Sequence, residues 1–126
     1  MFGVILLCGM HTKRYHHIFD INHCNAKIGN ETDLENLVKK IAASVNMTIL
    51  KGPIVAEGIP ENPGFSALAI VDFSHISVHT FTKYDEALID VFSCKEFDRE
   101  NLLNEVKSFL STPESTVRHK EVWWGE

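Results

Sequence analysis

The sequence predicts an α+β two-layer sandwich, an antiparallel sheet with two helices packed on one face. Three observations lead there. Two segments, Leu34 to Val45 and Leu102 to Leu110, carry apolar residues at helical spacing. Several short runs rich in β-branched and aromatic residues alternate with a period of two instead. The links between the runs from Phe65 to Ser93 are too short for a parallel crossover, so those strands should pair antiparallel.

In chain order, Tyr15 to Ile21 reads as a strand. Thr32-Asp33-Leu34-Glu35 has a capping-box pattern and opens the first helix, whose apolar face is Leu34, Leu37, Val38, Ile41, Ala42 and Val45. Thr48 to Leu50 reads as a short strand. Gly52 to Gly64 holds three prolines and three glycines and reads as an irregular loop. Phe65 to Val71, Ile76 to Phe81 and Ala87 to Ser93 read as strands. Asp98 caps a second helix with Leu102, Leu103, Val106, Phe109 and Leu110 on one face, and Pro113 follows its end. Val117 to Trp124 forms a last strand.

With 126 residues the chain is expected to be one domain, 1–126. A domain of this size has little surface left for a deep pocket of its own, which favours a site built between subunits. The chain is 44% hydrophobic and 23% charged, ordinary for a soluble globular protein. Its net charge of −5 comes with scattered cations, so no nucleic-acid partner is expected. The apolar run from Val4 to Cys8 is too short for a membrane span and lacks the flanks of a signal peptide. It reads as a strand or an interface segment, and a cytoplasmic location is expected. The three cysteines, Cys8, Cys24 and Cys94, do not make a disulfide framework.

The segment from Phe65 to Cys94 is the most informative. Ser74-His75 sits between two strand-like runs, where a turn or bulge can hold a backbone under strain. Ser77 and His79 share one strand face, and Cys94 ends a neighbouring strand. The residues alone leave three readings open. One is a Ser or Cys nucleophile activated by His. Another is a metal site of His75, His79 and Cys94, although residues four apart on a strand are ~13 Å apart. The third is a set of polar side chains on a half-exposed sheet.

Ser74-His75-Ile76-Ser77-Val78-His79-Thr80, then Tyr84, then Asp90-Val91-Phe92-Ser93-Cys94, closely resembles the signature of prokaryotic S-adenosylmethionine decarboxylases. In that family Glu-Ser-His precedes a His-Thr-Trp-Pro-Glu-Tyr run, and a later Asp-containing strand ends in Thr-Cys-Gly. The spacings from Ser74, five residues to His79 and twenty to Cys94, are kept, as is Gly64-Phe65-Ser66 upstream. The resemblance implies cleavage between Phe73 and Ser74 into chains 1–73 and 74–126. It implies a pyruvoyl group derived from Ser74, which binds the substrate amine as a Schiff base, and neither metal nor pyridoxal phosphate. His79 would be the acid–base of processing, Ser66 would assist it, and Cys94 would donate a proton in turnover. A small amino-acid-type substrate and a homodimer or larger even assembly are also implied, as is a place in spermidine and polyamine synthesis.

Four departures bear on these expectations. Phe73 stands where the family has Glu, Phe81-Thr82-Lys83 replaces Trp-Pro-Glu, Lys95 replaces Gly, and the loop over 58–63 is rewritten. The substrate-binding residues are therefore left unassigned. The alternatives are an arginine or ornithine decarboxylase of the same fold and an unprocessed paralogue that acts as a binding or regulatory subunit. His75 carries no role here. His11, His16, His17 and His23 form no usable cluster and read as surface or interface residues.

Overall fold

The computed structural model describes residues 12–124. The run from Val4 to Cys8, and His11, lie outside the described residues. The elements are β1 (Arg14–Ile21), a 3-10 turn (Ala26–Gly29), α1 (Glu31–Ser44), β2 (Ile49–Ile59), β3 (Asn62–Val71), β4 (Ser74–Phe81), β5 (Glu86–Ser93), α2 (Arg99–Leu110) and β6 (Val117–Trp124). Among the described residues all strand pairs are antiparallel, in the order β2-β3-β4-β5-β1-β6. The architecture is the expected α+β sandwich.

Alternation along each strand decides what the core contains. His17, Phe19 and Ile21 of β1, Ala67, Ala69 and Val71 of β3, Ile76 and Val78 of β4, and Ala87, Ile89 and Val91 of β5 are buried. All of these but His17 join Leu34, Leu37, Val38 and Ile41 of α1 with Leu102, Val106 and Leu110 of α2 in one cluster. Each large apolar side chain there contributes roughly 1.5–3 kcal/mol by leaving water. Both helices therefore cover the same face. The other face bears Ser66, Leu68 and Ile70 of β3, then His75, Ser77 and His79 of β4. Beyond these lie Asp90 and Phe92 of β5 and His16 of β1. Leu68 and Ile70 are about half exposed there, at 51% and 54%.

Two sequence expectations need correction. The first helix starts at Glu31, and its cap is Asn30, whose side chain accepts from the Asp33 N–H at 2.9 Å. Glu35 instead pairs with Lys39 one turn on, at 3.6 Å. The cap moves because Asn30 keeps an extended backbone that leaves its side-chain oxygen facing the helix start.

The supposed loop over Gly52 to Gly64 is a hairpin, with β2 and β3 joined by a tight turn at Pro60 and Glu61. The short strand at Thr48 to Leu50 is thus the beginning of an eleven-residue β2. Pro53 is tolerated because β2 is the edge strand among the described residues and its register shifts around Gly52 and Pro53, while Pro60 lies in the turn. Gly64 has φ +144, and a Cβ there would sit 2.0 Å from the Thr80 carbonyl oxygen. A punctuation pattern that usually marks loops here marks close backbone approach.

Candidate active site

Asp72 and Phe73 form the turn between β3 and β4, and Ser74 is the first residue of β4. Two-residue hairpins usually place positive φ inside the turn. Neither turn residue has it; Ser74 does, at +143. That region is normally kept to glycine, and holding another residue in it costs on the order of 1–3 kcal/mol. The strain sits at the Phe73–Ser74 peptide, the expected point of cleavage.

The turn is held from several sides. The Asp72 N–H donates to the Thr48 carbonyl at 3.0 Å, and the Asp72 carboxylate accepts from the Thr48 N–H at 3.0 Å. Ser74 pairs with Val71 on one side and Ser93 on the other. The Cys94 N–H donates to the Phe73 carbonyl oxygen at 3.0 Å. A donor on that oxygen polarises the carbonyl toward attack. Cys94 itself is exposed with a free thiol. Cys24 is the opposite case: burial, then the nearby Asp85, Glu86 and Asp20, push its thiol up to about 12, so it is an inert packed side chain.

Ser66 and His79 are register partners on β3 and β4, and Ser66 Oγ lies 2.8 Å from His79 Nδ1. They do not lie beside Ser74. His79 is five residues further along β4, ~16 Å at about 3.3 Å per residue. The four sequence-derived residues therefore form two pairs within one chain: Ser74 with Cys94 at one end of β4, and Ser66 with His79 toward the other.

Between the pairs lies a cluster that the sequence reading missed. Asp90 of β5 accepts from the Ser77 hydroxyl at 3.0 Å and faces His75 Nε2 at 3.6 Å. Its other oxygen pairs with His16 of β1. The His75 ring stacks on Phe92 and the His16 ring meets Phe92 edge-on. His16 is thus part of a cluster, contrary to expectation, because β5 and β1 are sheet neighbours although 74 residues separate the partners. The signal available in sequence was Asp90 itself, part of the quoted motif. His17 also has a partner: its Nδ1 lies 3.0 Å from His119 Nε2 on β6.

The departures fall as follows. Lys83 is in an exposed turn, its ammonium 5.6 Å from the Tyr84 ring centre. Lys95 turns its ammonium onto the Asn46 carbonyl at 3.1 Å and over the Phe73 ring at 4.4 Å. Its charge is directed toward the end of α1.

A family model described as S-adenosylmethionine decarboxylase matches residues 15–121. The arginine decarboxylase proenzyme of Caldivirga maquilingensis is 39% identical over 66 residues, 52% of this chain and 49% of that one. The S-adenosylmethionine decarboxylase proenzyme of Sulfolobus acidocaldarius is 39% identical over 69 residues, 53% and 52% of the two chains. The chain thus spans about half the length of these two relatives. The match to the S-adenosylmethionine decarboxylase proenzyme of Clostridium botulinum is longer, 27% identity over 106 residues, 82% of this chain and 89% of that one. The crystal structure of the adenosylmethionine decarboxylase from Aquifex aeolicus shares the fold, with a TM-score of 0.71 at 21% identity over 86% of this chain and 89% of that one. The family match takes in Ser66, Ser74, His79 and Cys94 together with the sheet that carries them, and the chain belongs to the S-adenosylmethionine decarboxylase family.

Proposed function

We propose that this chain is a self-processing, pyruvoyl-dependent decarboxylase acting on S-adenosylmethionine, and that two copies together build each site. The observation that carries the reading is the Phe73–Ser74 peptide, with Ser74 at φ +143 and the Phe73 carbonyl held by the Cys94 N–H. A serine in that setting fits the precursor of a pyruvoyl group.

In the first step the Ser74 hydroxyl adds to the Phe73 carbonyl carbon and gives up its proton. The Phe73–Ser74 C–N bond then breaks, the nitrogen is protonated, and an ester links the two residues. Forming the ester relieves the strained backbone. Removal of the Ser74 α-proton expels the Phe73 carboxylate from Cβ and leaves dehydroalanine. Its tautomer takes up water and loses ammonia, so chain 74–126 begins with the pyruvoyl group. That group supplies an electron sink for loss of carbon dioxide from an amino-acid substrate. The exposed Cys94 thiol is suited to return a proton to the substrate carbon.

The base for these steps lies too far along β4 to act within one chain. Among the described residues the helix-free face of the sheet is uncovered, and it carries Leu68 and Ile70 beside the polar cluster. A two-fold contact through this face, with the two β4 strands antiparallel, brings the His79 end of one copy to the Ser74 end of the other. The partner subunit's His79 then takes the protons. If Nδ1–H of that ring donates to Ser66, the Ser66 hydroxyl keeps its own proton for the oxyanion on Phe73. The family's place in polyamine synthesis extends to this chain under the same reading, in a cytoplasmic setting.

Arginine is the second reading, favoured by the likeness to a protein named arginine decarboxylase proenzyme. Intact mass and a substrate panel test both. Purified protein should consist of chains 1–73 and 74–126, and Ser74→Ala should stay whole. S-adenosylmethionine should release carbon dioxide faster than arginine or ornithine. A whole wild-type chain after long incubation contradicts the enzyme reading and favours a non-catalytic paralogue. An at least ten-fold preference for arginine, about 1.4 kcal/mol of transition-state binding, replaces the substrate.

A further inference from the structure

Phe73 and Lys95 each depart from the family pattern, and they touch. The Lys95 ammonium stands 4.4 Å from the Phe73 ring centre, a favourable cation–π approach. The same ammonium donates to the Asn46 carbonyl at 3.1 Å. Asn46 follows the end of α1, where the partial negative charge of the helix favours a cation. The base of Lys95 is anchored as well. Its N–H donates to Ser93 Oγ at 2.8 Å, the Ser93 hydroxyl donates to the Lys95 carbonyl at 2.7 Å, and Ser93 is fully buried. Lys95 is thus pinned at both ends, with the Phe73 ring against its ammonium.

We infer that Lys95 is a positioning residue for chain cleavage, clamping Phe73 so that the Phe73 carbonyl stays on the Cys94 N–H. The inference rests on the self-processing proposed above. The clamp and the carbonyl contact come from successive residues, Lys95 and Cys94, so they move together. One grips the side chain of Phe73 and the other its carbonyl. A glutamate before the scissile bond has no ring for a cation to cover, and a glycine after the cysteine has no ammonium. The pair Phe73 and Lys95 therefore acts as one unit that supplies locally what neither supplies alone. It also directs the Lys95 charge to the end of α1 and away from a cationic substrate.

The test is the rate of cleavage of freshly refolded precursor, followed by intact mass, alongside the melting temperature. Lys95→Met keeps the aliphatic stem and removes the charge; it should slow cleavage about three- to ten-fold, the latter equal to about 1.4 kcal/mol. Lys95→Arg keeps a cation over the ring and should restore most of the rate. Phe73→Leu should slow cleavage similarly, and the double variant should be no slower than the slower single one, as coupled residues behave. Melting temperatures should be nearly equal across the series. A cleaving wild type with Lys95→Met at an unchanged rate overturns this inference alone. Equal slowing in Met and Arg variants with a matching loss of melting temperature also overturns it, since it marks a structural residue. A wild-type chain that never cleaves removes the proposed function and this inference together.

Discussion

Ser66 and His79 face each other across β3 and β4 with Oγ 2.8 Å from Nδ1, and the same strand begins with Ser74 five residues earlier. A hydrogen-bonded Ser–His pair and its proposed target are thus about 16 Å apart in one chain. A rigid central strand does not fold back on itself to close such a gap. The arrangement makes chemical sense as half of a two-fold site.

That geometry predicts rescue between two defective chains. Ser74→Ala and His79→Ala should each remain whole when purified alone. Refolded together in equal amounts, the His79→Ala chain should be cleaved wherever it has paired with a Ser74→Ala chain, about half of its copies under random pairing. Differently tagged chains and intact mass read the result. No cleavage in the mixture means that His79 acts within its own chain or not at all.

Cys94 separates two roles that belong to different parts of one residue. Its backbone N–H holds the Phe73 carbonyl, and its exposed thiol is the proton donor proposed for turnover. Cys94→Ala keeps the N–H, so cleavage should stay within about three-fold of wild type. Carbon dioxide release should drop at least about ten-fold, since a positioned proton donor contributes ~10²–10⁴ in rate. A parallel loss of cleavage and turnover would mark the side chain as structural.

His17 makes stability depend on pH. It is 4% exposed, and burial holds its pKa below the ordinary 6.5. Glu121 opposes that shift, while His119, Arg99 and His16 reinforce it. His119 is lowered too, by desolvation and then by Arg99. The folded state therefore binds fewer protons than the unfolded chain as pH falls below 6.5, and stability is lost over that interval. The melting temperature should decline from pH 7 to pH 5, and His17→Gln should flatten the decline. An equally steep profile in the variant would assign the effect to other groups.

Gly64 is a stability prediction with a steric cause. Gly64→Ala places a Cβ 2.0 Å from the Thr80 oxygen at a φ of +144. The β3–β4 pair must shift, at a cost of about 2–4 kcal/mol, strain and clash together. Urea unfolding measures it. Because Ser66 and His79 lie close to the contact on β3 and β4, the variant should also weaken the Ser66–His79 pairing. A stability change under about 0.5 kcal/mol would contradict the close approach.

Periodicity was enough to reveal both helices and the central strands, because burial of one face imposes a local repeat on any sequence that folds, and the short links between the strands were enough to make them antiparallel. It was the resemblance to a family signature, not spacing alone, that pointed to Ser66, Ser74, His79 and Cys94. Local pattern misread Gly52 to Gly64, where prolines and glycines serve an edge strand and a close strand contact. What remained hidden depends on which strands become neighbours. β1 lies between β5 and β6, and this alone brings His16 to Asp90 and His17 to His119. Lys95 meets Phe73 because the end of β5 lies beside the start of β4. The division of the four motif residues into two separated pairs is likewise a matter of strand register. A period of two tells which face a side chain takes, but only the pairing of distant strands decides what it meets there.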